Sequence, residues 1–149
     1  MRTSSAPAAI SVNEDSNNTT AVSLGLSSLA YSSGGGSDES TQSFTYTLTA
    51  IPAFITVYKA DGTTQVNTND TLSLTELQGL KYKTIANANG SGNLTWTVQD
   101  SGGTASGGVD TLSQSLSISV SAVNDAPIAS GSASLAAVLE DNVSPAGDT

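Results

Sequence analysis

The chain has 149 residues, enough for one domain with a buried core and a short extension. Its 13 acidic residues against 4 basic ones give a formal net charge of −9, which argues against binding nucleic-acid phosphates or an anionic membrane, since both need clustered Lys and Arg. With Cys and His both absent, a disulfide framework, a Cys/His zinc site and a nucleophile with a His base are excluded.

The aromatic content is only 5%, so the core must be lean. Ser, Thr, Gly, Asn and Ala dominate, which is β-strand and turn chemistry. No segment is long and apolar enough to span a bilayer. The polar start, Met1-Arg2-Thr3-Ser4-Ser5, reads as a lead-in rather than a secretory signal, and both ends read as cuts within a larger protein.

Taken in order, the weaker strand signals are Ala9 to Val12 and Ala21 to Leu26. Ser33 to Asp38 is a glycine-rich turn. Ser43 to Thr49 alternates cleanly, placing Phe44, Tyr46 and Leu48 on one face. Phe54 to Tyr58, Thr71 to Leu74 and Leu80 to Lys83 are further short strands, with turns at Ala60-Asp61-Gly62 and Asn67 to Asp70. Thr75 to Gly79 reads as a single helical turn ending at glycine.

After a turn at Asn87 to Gly90, Gly92 to Val98 sets Leu94, Trp96 and Val98 on one face, with Trp96 a core residue. Ser101-Gly102-Gly103 turns the chain again. The run from Leu112 to Val123 alternates through Leu116, Ile118 and Val120, and Gln114 breaks its apolar face. About seven short strands at this spacing predict an all-β fold, an antiparallel Greek-key β-sandwich of the immunoglobulin type over residues 6–127. Residues 128–149 have no partner strands of their own and read as the start of a next unit or a tail.

Two short strings echo each other. Ala6-Pro7 precedes Val12-Asn13-Glu14-Asp15, and Ala126-Pro127 precedes Val138-Leu139-Glu140-Asp141. The Ala-Pro elements lie 120 residues apart, as expected of a tandem repeat.

Val123-Asn124-Asp125-Ala126-Pro127 resembles the junction between bacterial cadherin-like and VCBS-type repeats of large surface adhesins. Leu139 to Asp148 is similar to the opening of such repeats, and Leu94 to Gly103 to their late strand and acidic turn. The resemblance implies an extracellular or cell-surface calcium-binding module without enzymatic activity. Its implied partners are neighbouring repeats, another cell surface or a polysaccharide, and alone it would be a monomer. The implied calcium ligands are Glu14, Asp15, Asp100, Asn124, Asp125, Glu140 and Asp141. Calcium takes six to eight oxygen ligands, which carboxylates, amides and carbonyls supply without His or Cys.

Two arrangements are open. If the first and last strands bracket opposite poles, Glu14 and Asp15 serve one junction, and Asp100, Asn124 and Asp125 serve the next with Glu140 and Asp141. Alternatively, Glu14 or Asp15 joins Asp100 in one intradomain site. A carbohydrate-binding module would instead need exposed aromatics, with Tyr31, Tyr58 and Tyr82 as candidates, and a passive spacer would bind nothing.

Overall fold

The structure is a computed structural model and describes residues 1–33, 39–104, 109–127 and 130–131. Glu140 and Asp141, with most of 128–149, lie outside the described residues.

Among the described residues, nine strands and one short helix follow in the order β1 (Ile10–Asn13), β2 (Val22–Ser23), β3 (Phe44–Ala50), β4 (Ile55–Tyr58), β5 (Gln65–Val66), β6 (Thr71–Leu72), α1 (Leu74–Gln78), β7 (Lys81–Thr84), β8 (Gly90–Asp100) and β9 (Thr111–Ser121). They form two sheets, ordered β1-β9-β8-β3-β6 and β2-β7-β4-β5. The fold is an all-β sandwich, as the alternating pattern predicts. Only the β4–β5 and β8–β9 hairpins stay within a sheet; every other connection between successive strands crosses to the opposite one. The strand count exceeds about seven because β2, β5 and β6 are two-residue edge strands. Short edges present little unpaired backbone to other chains.

The period of two fixes the core. Tyr46 and Leu48 of β3, Leu94, Trp96 and Val98 of β8, and Leu116, Ile118 and Val120 of β9 point inward and are buried. Val57 of β4, Val66 of β5 and Tyr82 of β7 meet them from the other sheet. Leu24, Leu26 and Leu29 complete the core from a segment that is mostly not strand. Trp96 is fully buried, and its indole N–H donates to the Tyr31 hydroxyl at 2.9 Å. The Tyr31 ring lies 5.4 Å from that of Tyr46.

Helix α1 begins one residue before the expected turn because Ser73 caps it. The Ser73 hydroxyl accepts from the Glu76 N–H, and the Glu76 carboxylate accepts from the Ser73 N–H, a complete capping box. This cap also ends β6 at Leu72, two residues short of the expected Leu74.

The lead-in is part of the fold. Thr3 N–H donates to the Ala30 carbonyl at 2.9 Å, and Arg2 bridges to Tyr31. The Arg2 guanidinium donates to Gln114 Oε1 at 2.8 Å, which explains a polar residue on the inner side of β9.

The pairing of β1 decides where the candidate ligands lie. It joins β9 in parallel, with Ile10 opposite Ile118 and Asn13 opposite Ser121. Both strands therefore end at the same pole, not at opposite poles. Strands β8 and β9 are antiparallel, with Gly90 opposite Val120, so Asp100 at the end of β8 lies at the other pole.

Candidate functional site

Glu14 follows β1 directly, and its N–H donates to the Ser121 carbonyl at 3.0 Å, extending the ladder by one residue. Ladder geometry turns its side chain inward, and only 4% of the residue is exposed. One carboxylate oxygen, Oε1, accepts from the Val123 N–H at 2.7 Å. The other, Oε2, accepts from Asn89 Nδ2 at 3.1 Å. Glu14 thus ties together the end of the first strand, the turn before β8 and the chain leaving β9.

Each of those elements is held in place locally. Ser16 N–H and its hydroxyl both bond to the Asn13 carbonyl, and the Thr84 hydroxyl bonds to the Ser16 carbonyl. Asn87 and Asn17 sit at positive φ, a backbone region that Asn tolerates. Gly90, at φ 150°, follows Asn89; a Cβ there would stand 3.1 Å from the Phe54 ring. That close approach requires glycine and sets Asn89 beside Glu14.

Asp15, Asn124 and Asp125 lie in the two segments that Glu14 joins, and all three are exposed. Asn124 Nδ2 donates to the Asp125 carbonyl at 3.2 Å. The pole therefore offers carboxylate, amide and carbonyl oxygens with no cationic side chain among the partners of Glu14. Among the described residues, no three acidic side chains stand close enough to hold a metal ion by themselves. Carboxylate, amide and carbonyl oxygens are the donor types that calcium takes.

Asp100 belongs to another neighbourhood. Its Oδ1 accepts from Gly102 N–H at 2.9 Å in an ordinary turn, and its own N–H donates to the Asp110 carbonyl at 2.8 Å. Asp110 accepts from Gln99 Nε2 and from the Thr111 hydroxyl, which hold its carboxyl below the usual range. Phe44, Val98 and Leu112 wall a cavity of about 220 Å³ here, with Glu39, Asp100 and Asp110 on its lining. The structure thus brings Glu14 and Asp15 to the same pole as Asn124 and Asp125 and separates Asp100 from all four. Both arrangements drawn from the sequence are corrected. Asp100 neither joins Asn124 and Asp125 at one junction nor joins Glu14 in an intradomain site, because the β8–β9 hairpin carries it to the far end.

Asn89 is the residue that sequence reasoning missed. It sat in a turn signal, Asn87 to Gly90, that reads as punctuation. The three candidate aromatics do not share a solvent face. Tyr82 is buried, and Tyr31 is engaged with Trp96 and Tyr46; burial raises the hydroxyl pKa of both. Tyr58 is half-buried on the outer face of the four-stranded sheet, under the Lys83 ammonium.

No protein-family model, curated protein or solved structure matches the chain.

Proposed function

We propose that this chain is a non-catalytic, calcium-binding β-sandwich module of an extracellular tandem array, and that its cation sits where Glu14 meets the outgoing segment 121–125. One observation carries this reading. Glu14 is a nearly fully buried carboxylate whose two oxygens have only neutral donors. Taking a carboxylate out of water is costly unless a counter-charge accompanies it. The four basic residues, Arg2, Lys59, Lys81 and Lys83, are absent from its partners.

A cation at this pole would bind Glu14 together with oxygens of Asn89, Asn124, Asp125 and Asp15. It would fix the direction in which the chain leaves the domain, which is what a module in a series needs. The parallel β1–β9 pairing, which puts the end of the first strand beside the exit, supports a site at the junction.

A thermal melt tests the reading. Extracellular modules bind calcium with Kd of about 10⁻⁴–10⁻³ M, so millimolar calcium adds only about 0.4–1.4 kcal/mol through its preference for the folded state. The expected result is a rise of a few degrees in calcium, absent in sodium chloride of equal ionic strength and absent in Glu14→Gln. Equal melting in the two salts leaves a passive spacer.

A further inference from the structure

The chain has three lysines, at 59, 81 and 83. Lys59 is neutralised by Glu76, Nζ to Oε1 at 2.8 Å. The other two stand on β7, where Tyr82 and Thr84 turn inward and are buried. Alternation therefore directs Lys81 and Lys83 to the outer face of the four-stranded sheet. Strand β4 sets Tyr58 opposite Lys81 and Thr56 opposite Lys83. Strand β2 sets Ser23 opposite Lys81 on the other side, and β5 sets Gln65 opposite Tyr58. Ser23, Lys81, Tyr58 and Gln65 thus form one straight row across all four strands, about 14 Å long at the usual strand spacing. Lys83 Nζ lies 5.1 Å from the centre of the Tyr58 ring.

This is the basic face of a chain whose net charge is −9. Among the described residues, neither Lys81 nor Lys83 is in an ion pair. Asp61, in the turn whose Gly62 lies against the Lys81 stem, has both oxygens occupied by Thr63 and Thr64. Lysines often guard edge strands, but β7 lies between β2 and β4. Edge protection therefore does not account for Lys81, which β2 and β4 both flank; Lys83 has a partner in β4 and none in β2.

We propose that this face binds an anionic polysaccharide whose charge is carried as sugar-ring carboxylates, a uronate chain lying along the row. The two ammonium groups pair with carboxylates. The Tyr58 ring, opposite Lys81 and with the Lys83 ammonium over it, holds that ammonium in place and brings a hydroxyl to the row. Ser23, Thr56 and Gln65 supply hydroxyl and amide groups for the sugar hydroxyls. A uronate carries its charges spaced along the chain, whereas nucleic acid and an anionic bilayer present dense phosphate that a molecule of this net charge repels. The site uses the outer face of the sheet that lacks β1 and β9, so it does not depend on the calcium reading.

The test is calorimetric titration of the full chain with sodium oligogalacturonate in EDTA, with neutral dextran and phosphatidylserine vesicles as comparators. EDTA removes calcium, so failure of the calcium reading leaves the result unchanged. The expected result is binding to oligogalacturonate alone, weakening as salt rises. Lys81→Gln with Lys83→Gln should bind about tenfold more weakly, as expected on losing two charge pairs. The paired arginine substitutions should retain binding, Tyr58→Leu should reduce it, and Lys59→Gln should leave it unchanged. Matching melting curves for these surface variants separate lost binding from lost fold. No heat with oligogalacturonate, unchanged binding in the double glutamine variant, equal binding of dextran, or binding of vesicles alone would overturn the proposal.

Discussion

At the scale of single residues, Glu14 and Trp96 show how differently a buried polar atom can be used. The indole N–H of Trp96 has a neutral partner in Tyr31, and the surrounding rings are core packing. Trp96→Ala should cost about 3–5 kcal/mol in urea unfolding, from lost burial and the cavity left behind. Glu14 is different, because its buried carboxyl has two neutral donors, Asn89 and Val123, and no basic side chain among its hydrogen-bond partners. Glu14→Ala leaves the Val123 and Asn89 donors without their acceptor and should cost about 1–3 kcal/mol without calcium. Glu14→Gln keeps an acceptor and removes the charge, so without calcium it should melt at or above the wild-type temperature. A marked loss of stability in Glu14→Gln would show that the negative charge is already compensated. The acidity of Glu14 could be read in the sequence, but its burial could not. Burial depends on a one-residue extension of a parallel ladder that pairs positions more than a hundred residues apart.

At the scale of elements, the alternating strands were the legible part. Phe44 to Leu48, Leu94 to Val98 and Leu116 to Val120 face inward as their pattern predicts, because a sheet with one buried face enforces a period of two. Residues 21–26 read as a strand in the sequence, yet Val22 and Ser23 alone pair in β2. The apolar residues there, Leu24 and Leu26, are buried through an irregular path, which periodicity cannot describe. The helix was legible because its stop and cap chemistry are local.

That same helix predicts a pH response. The hydrogen bond from Lys59, with those from Ser73, holds the Glu76 carboxyl down at about 2 from its ordinary 4.5. Hydrogen bonds from Thr64 and Thr63 likewise depress Asp61. A depressed carboxyl adds stability that is present above its unfolded pKa and is lost as pH falls through its folded pKa. Melting temperature should therefore decline between about pH 4.5 and pH 2. In Lys59→Gln, the Glu76 titration followed by carbon-detected NMR should move up toward its ordinary value. An unmoved titration would show that the capping box alone holds it. The turn before β8 gives a further test. Gly90→Ala combines a positive φ with a close approach to Phe54 and should cost about 1–3 kcal/mol.

At the scale of the whole molecule, the proposed function turns on which ends meet, and that is the part hidden in the sequence. Residue order suggested that the first strand and the outgoing linker lie at opposite poles. The parallel pairing of β1 with β9 instead brings Glu14 beside Val123, and the β8–β9 hairpin takes Asp100 away. Four of the acids and amides named from sequence, Glu14, Asp15, Asn124 and Asp125, thus share a pole, joined by Asn89, while the Asp100 end carries its own acid-lined cavity.

Calcium is proposed to bind at the Glu14 pole and not at the Asp100 pole. Amide chemical-shift titration of the full chain with calcium, against sodium at equal ionic strength, tests it residue by residue. Shifts are expected to concentrate at Glu14, Asp15, Asn89 and Val123 to Asp125, with Asp100 and Asp110 unmoved. Shifts centred on Asp100 and Asp110, or no shift at millimolar calcium, would contradict it.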